Sequence, residues 1–197
     1  MRLGLVGASG DLAALARALR TAVRLSDRVV YLASDPGFDD VLAGWVGLLH
    51  AEGSLRERAA AVLDADATHL ASTVAAELAR RELLNVHSLS GASRAVEILL
   101  DRVVLLAADK TDLDEEDLLP ASVIAFGRGE ALVRRVGSRV FVAPGPPSAS
   151  AGVAVLAEEP GGSSLTLTLF TADGAEVQST ALDLARAAKL RVQGAIG

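Results

Sequence analysis

The apolar positions of the first half of the chain alternate between short continuous runs and helical stripes. Residues 3–6 and 28–33 are continuous apolar runs, which are typical of strands covered on both faces. Between them, apolar residues recur at intervals of three and four, which predicts a helix over residues 11–24. Asp11 stands where its carboxylate can cap the first turn. This half of the chain therefore predicts strands that alternate with helices.

A long helical stretch is predicted next, over residues 39–84, rich in Ala, Glu and Arg and interrupted at Gly53-Ser54. Residues 34–37, which contain Pro and Gly, are predicted to form a loop before it. Residues 94–99 fit a helix or a strand equally well. The run over 103–107 predicts a strand, and the acidic segment after it predicts a loop with a short helix.

The pattern changes to β after Pro120. Strands are predicted over 123–126, 132–136, 139–142, 152–156, 165–170 and 177–182, with a hairpin turn at Gly137-Ser138. This order favours an α/β (α+β) fold in which two sheets form a β-sandwich flanked by helices. We expect one domain over residues 1–197, since no linker is long enough to separate two.

Composition and charge narrow the possible partners. The core must be aliphatic, because hydrophobic residues make up 51% of the chain and aromatic residues only 3%. The net charge of −6 argues against nucleic acid or an anionic membrane as the main partner. The absence of cysteine excludes disulfides and cysteine metal sites and fits a cytoplasmic protein. No secretory leader is expected, and no apolar run is long enough to insert into a membrane.

The glycine turn after the first strand is the first candidate site. Gly7-Ala8-Ser9-Gly10-Asp11-Leu12-Ala13 resembles the phosphate loop of glucose-6-phosphate dehydrogenases and other Rossmann reductases. Asp35, after the second strand, could then hold a ribose hydroxyl. However, Leu5 replaces the first glycine of a full Gly-x-Gly-x-x-Gly motif, and Asp11 would bring negative charge towards the phosphates. An NAD(P)-binding oxidoreductase is therefore an alternative interpretation.

A second resemblance spans most of the chain. The helix start Gly10-Asp11-Leu12-Ala13-Ala14-Leu15 and the stretch from Val123 to Glu130 resemble the bacterial calcineurin-like metallophosphoesterases of the small phosphodiesterase type. In that family, the second stretch is a strand followed by Gly-His-x-His and a hairpin, and then by Val-Asn-Pro-Gly-Ser; here the chain has Val142-Ala143-Pro144-Gly145. The resemblance implies a two-sheet sandwich and a site at the strand ends.

The chain departs from this family at the positions that carry the metal ligands. By the resemblance, these degenerate positions are Gly7, Ser9, Ser34 with Asp35 beside it, Ala107, Arg128, Glu130 and Ala143. Glycine, serine and alanine cannot offset the repulsion of two dications about 3.5–4 Å apart. We therefore expect no catalytic residue, no metal and no cofactor. His50, His69 and His87 lie outside every ligand position and are expected on helices or loops.

The resemblance and the missing ligands together predict a bacterial pseudoenzyme. It would act as a protein-interaction scaffold or a regulatory subunit. Its partners would be unidentified proteins, with a homo-oligomer possible. The helical segment over 41–84 departs most from the family pattern and is the expected contact surface. A metal-dependent phosphodiesterase with atypical ligands is a further alternative.

Overall fold

The computed structural model describes residues 1–48, 60, 62–63, 65–83, 85–89, 94–159 and 164–182. The strands of this part of the chain are β1 (Arg2–Val6), β2 (Arg28–Tyr31), β3 (Val86–Ser88), β4 (Arg94–Leu99), β5 (Arg102–Ala107), β6 (Ala121–Phe126), β7 (Leu132–Val136), β8 (Arg139–Ala143), β9 (Gly152–Glu158), β10 (Leu165–Thr171) and β11 (Glu176–Leu182). The helices are α1 (Leu12–Leu25), α2 (Pro36–Leu48), α3 (Ala67–Leu83) and α4 (Glu115–Leu118), and a 3₁₀ turn spans Lys110–Asp112.

The strands form two sheets. The first sheet has the order β11-β10-β9-β1-β2-β3, and the second has the order β4-β5-β6-β8-β7. Parallel pairing joins β1 to β2 and β2 to β3 in the first sheet, and β5 to β6 and β6 to β8 in the second. Antiparallel strands occupy the remaining positions of both sheets.

The main core lies between the two sheets. Its fully buried members come from both inner faces, with Leu3 and Leu156 on the first sheet and Leu106 and Val142 on the second. A second core fills the space between the first sheet and helices α1 and α2. The layers are therefore helices, first sheet and second sheet, with α4 packed on the outer face of the second sheet.

Local chemistry explains why α1 begins where it does. The carboxylate of Asp11 accepts hydrogen bonds from the backbone N–H groups of Ala13 and Ala14, at 2.9 and 3.1 Å. The helix then buries Leu15 and Leu19 against the first sheet. The cap therefore fixes the direction in which the chain leaves β1, and the apolar stripe fixes the face that packs.

The predicted elements are mostly confirmed, including α1 and its cap and the β-rich second half. Residues 94–99, whose sequence fits a helix or a strand, form the strand β4. The predicted loop over 34–37 is wrong in part, because α2 begins at Pro36, where the first turn of a helix tolerates proline. The three-residue strand β3 was not predicted. The expected break at Gly53-Ser54 lies outside the described residues.

Candidate functional site

The ends of strands from both sheets meet at one edge of the sandwich. The N–H of Ala8, after β1, donates to the carbonyl oxygen of Gly127, after β6, at 3.0 Å. The N–H of Gly127 in turn donates to the carbonyl oxygen of Ala107, the last residue of β5, at 3.1 Å. The Ala8 hydrogen bond joins the two sheets, and the Gly127 hydrogen bond joins β6 to β5 within the second sheet, at the edge where a metallophosphoesterase site was expected. The candidate site is therefore a junction of loops.

Two glycines permit this close approach. An ideal Cβ on Gly7 would lie 2.0 Å from the carbonyl oxygen of Gly145, and one on Gly127 would lie 1.8 Å from the carbonyl oxygen of Leu32. Both distances are far shorter than van der Waals contact, and both neighbours are backbone atoms. Neither position can carry a side chain unless a loop moves. The loop after β8 occupies the volume that a metal-ligating side chain at position 7 would need.

A small polar network connects the turn after β1 to the loop after β2. The buried Tyr31 hydroxyl donates to Asp35 Oδ2 at 2.6 Å and accepts from the N–H of Ser9 at 3.2 Å. The other oxygen of Asp35 accepts from the N–H of Gly37 at 3.0 Å. The Tyr31 ring also stacks on Phe38, with centroids 5.4 Å apart. Both oxygens of Asp35 are thus committed to protein groups.

Burial raises the pKa of the Tyr31 phenol well above its usual range, and the hydrogen bond to Asp35 raises it further. The phenol therefore stays protonated and remains a hydrogen-bond donor across the neutral range. Sequence reasoning missed Tyr31. The available signal was the single tyrosine of the chain, within the apolar run over residues 28–33.

The backbone amides of the first turn are largely used within the protein. The N–H groups with internal acceptors are those of Gly7 to Gly152 O, Ala8 to Gly127 O, Ser9 to Tyr31 Oη and Asp11 to Ser9 Oγ. Asp11 itself occupies the N-terminus of α1 with negative charge. A phosphate needs such amides free and an N-terminus without an anion. This geometry does not fit the dinucleotide interpretation. It also does not fit the ribose-binding role that this interpretation gives to Asp35, because both oxygens of Asp35 accept hydrogen bonds from protein groups.

The remaining charged positions lie in the loops after β5 and β6. Asp109 accepts hydrogen bonds from the N–H and hydroxyl of Thr111, both at 3.0 Å, and these hold the pKa of its carboxyl below the usual value. Arg128 is 72% exposed, and its Nη1 lies 3.8 Å from Asp109 Oδ2. Glu130 is exposed, as is Ser34 in the loop after β2. Ala143, at the end of β8, is buried.

A two-metal centre does not fit the described residues. Among them, no group of three or more His, Asp or Glu side chains is placed to hold an ion. His69 lies exposed on α3, and His87 lies exposed on β3. The expectation of a helix or loop for His87 is therefore wrong, because residues 86–88 add a strand to the first sheet. His50 lies outside the described residues.

Comparison with solved structures identifies the architecture. The structure of YfcE, a phosphoesterase from E. coli, superposes with a TM-score of 0.52 at 15% sequence identity, over 93% of this chain and 100% of that one. Vps29 from Chaetomium thermophilum gives a TM-score of 0.47 at 12% identity, over 92% of this chain and 95% of that one. No family model and no curated protein matches the sequence.

The chain has a metallophosphoesterase fold. The resemblance carried by the sequence motifs is therefore confirmed at the level of architecture. At this identity, the likeness extends to the fold and not to the chemistry. No helix in the described part of the chain is long and apolar enough to cross a membrane.

Proposed function

We propose that this protein is a non-catalytic metallophosphoesterase-fold subunit that works through contacts with protein, as a scaffold or a regulatory subunit. The observation that carries the proposal is the packing of Gly7 against the carbonyl oxygen of Gly145. Loop backbone fills the space where a side chain after β1 would reach into the site. A metal-ligating side chain at position 7 would therefore need a rearranged loop as well as a substitution.

The charges at the junction support the same proposal. Paired dications about 3.5–4 Å apart repel strongly and need several carboxylate or imidazole ligands around them. Asp35 is bound to Tyr31 and Gly37, and Asp109 is bound to Thr111. Arg128 adds a positive charge beside Asp109. Of the carboxylates after β2, β5 and β6, Asp35 and Asp109 therefore already have partners within the protein, and Glu130 is exposed.

The contact surface is proposed to lie in the helical segment over residues 41–84. Its described portion includes α3, which carries exposed leucine and valine side chains. Exposed apolar side chains grouped on one element commonly mark a protein contact. The partner would be an unidentified protein, and a second copy of the chain is included in that class.

A phosphodiesterase assay tests the catalytic half of the proposal. Purified protein with added manganese should hydrolyse bis-p-nitrophenyl phosphate no faster than a protein-free blank, while an active phosphodiesterase serves as the positive control. Turnover well above the blank that is lost in Asp35→Ala or Glu130→Ala would contradict it. Glu176→Ala, which removes an exposed carboxylate on β11, is the matched control.

A further inference from the structure

The hairpin of β7 and β8 concentrates positive charge at one edge of the second sheet. Residues 128–139 contain four arginines and one acidic residue, Glu130, in a chain whose net charge is −6. β7 is the last strand of that sheet, and four of its five residues are exposed. This edge therefore presents a basic surface on an acidic protein.

Two of the arginines lie on the outer face of the hairpin. Arg134 stands opposite Phe141, which packs beside α4, and Arg139 stands opposite Val136. Arg134 and Arg139 are therefore diagonal neighbours on one face, at a separation that long side chains can span. Leu132 and Val136 flank Arg134 on the same strand and are 39% and 52% exposed. β7 thus presents apolar, basic and apolar side chains in turn.

Arg134 and Arg139 have no acidic partner within the described part of the chain. Other arginines form ion pairs inside the protein: Arg17 with Asp173, Arg28 with Glu97 and Arg94 with Asp117. Two neighbouring positive charges without a counter-ion repel each other. A carboxylate beside both relieves that repulsion and gains charge-assisted hydrogen bonds, so the face favours an acidic ligand.

The backbone of β7 selects the form of that ligand. The turn Gly137-Ser138 has two residues, so the pair Val136 and Arg139 beside it is hydrogen-bonded, and alternate pairs along the hairpin follow the same pattern. The N–H and C=O groups of Val133 and Arg135 therefore point away from β8. Among the described residues, no strand lies on that side of β7. An extended peptide can add to such an edge by main-chain hydrogen bonds.

We propose that the β7 edge binds an extended acidic segment of another protein, which adds to the second sheet as an antiparallel strand. An aspartate or glutamate of this segment lies opposite Arg134, and apolar residues two positions away on each side lie opposite Leu132 and Val136. This rests on the proposed function, because it gives the chemistry of one protein partner. A second copy of β7 is disfavoured, since the register that uses both Val133 and Arg135 places Arg134 opposite its own counterpart.

A synthetic peptide measures this binding. The probe is a fluorescein-labelled heptapeptide with the sequence Thr-Val-Thr-Glu-Thr-Val-Thr, and fluorescence anisotropy follows its titration with the full chain. Replacing its glutamate with glutamine should raise the dissociation constant at least about threefold. Arg134→Glu should abolish binding of this peptide and should favour the peptide with lysine in place of glutamate. Arg17→Gln, which removes a charge from α1, is the matched control and should change neither affinity.

N-methylated peptides test the strand pairing. In the proposed register, the third and fifth residues of the peptide lie opposite Val133 and Arg135 and direct their N–H groups towards β7. N-methylation of either residue should therefore abolish binding, whereas N-methylation of the central glutamate, whose N–H points away, should leave it unchanged. Equal binding of all three methylated peptides would mean that charge alone holds the peptide, and it overturns strand addition.

The other outcomes also decide the matter. Absence of binding up to roughly 1 mM protein overturns the proposal, as does an affinity that Arg134→Glu leaves unchanged. Tighter binding of a ten-nucleotide thymidine strand than of the peptide, lost in Arg134→Glu, would assign the edge to nucleic acid instead. These results leave the non-catalytic proposal intact, because the phosphodiesterase assay tests it separately. Turnover in that assay together with charge-dependent peptide binding supports the strand edge and rejects only the non-catalytic role.

Discussion

Gly7 and Gly10 stand three residues apart in the same turn but have different surroundings. A Cβ at Gly7 would collide with the backbone of Gly145, whereas a Cβ at Gly10 has nothing within 4 Å. We expect Gly7→Ala to lower the free energy of unfolding by about 2–4 kcal/mol, because a loop must shift to accept the methyl group. Gly10→Ala should change it by less than about 1 kcal/mol and can be slightly stabilising. Urea unfolding of the pair measures the difference.

Equal unfolding midpoints for the two alanine variants would contradict this close packing at Gly7. They would also remove the main support for a non-catalytic site, because a loop that yields easily at Gly7 leaves room for a ligand there. Both substitutions add one methyl group to the same turn, so a difference in stability between the two variants reports the different surroundings of positions 7 and 10.

The pKa of the Tyr31 phenol predicts an alkaline effect on stability. The phenol is protonated in the folded chain well above the pH of about 10 at which an exposed tyrosine ionises. Above that pH, the unfolded chain loses the proton and the folded chain keeps it, so the free energy of unfolding should fall as pH rises. Below about pH 10, this contribution is fully present.

Absorbance at 295 nm can follow this ionisation because Tyr31 is the only tyrosine of the chain. The folded protein should show no titration step near pH 10, and the urea-unfolded protein should show one. Tyr31→Phe should remove the tyrosine-dependent part of the alkaline loss of stability. A normal titration in the folded state would mean that the hydroxyl is not held between Asp35 and Ser9.

At the scale of the element, α1 depends on the cap at Asp11. The two hydrogen bonds from Ala13 and Ala14 satisfy amides that have no acceptor within the helix. We expect Asp11→Ala to cost about 1 kcal/mol, and Asp11→Asn to cost less, because the amide oxygen can still accept. Thermal unfolding followed by circular dichroism measures both. An equal loss in both variants would assign the effect to the charge and not to the cap.

The sequence could predict the elements in which burial determines the order of apolar and polar residues. In β10, Leu165, Leu167 and Leu169 are buried and the residues between them are only half-buried, so the alternation is visible in the sequence. The start of α2 at Pro36 was missed, because a Pro-Gly pair is typical of a loop until a cap such as Asp35 is known. The short strand β3 is held by pairing with β2, which no local pattern indicates.

At the scale of the whole molecule, the family motifs predicted the architecture and the edge at which the strand ends meet. The sequence also indicated which ligand types are absent. It could not indicate that Gly7 and Gly145 are in contact, because these residues are far apart in the chain and the contact is set by the two sheets. The Tyr31 network was equally hidden, since it depends on the distance between two loops.

Backbone hydrogen bonds join the strand ends at the junction. The hydrogen bonds from Ala8 to Gly127 and from Gly127 to Ala107 are independent of any bound ion. We therefore expect the same unfolding midpoint with excess EDTA and with 1 mM manganese, after correction for ionic strength with potassium chloride. Differential scanning calorimetry measures this directly.

The expected magnitude makes this test decisive. A metal at 100 times its dissociation constant adds about 2.7 kcal/mol to folding when it binds only the folded chain. For a chain of about 200 residues, that shifts the midpoint by roughly 5–10 °C, because each kcal/mol is worth about 2–4 °C. A manganese-dependent rise of this size would show that the junction opens to accept ions, and the loop contacts at Gly7 and Gly127 would then be one of two states of the site.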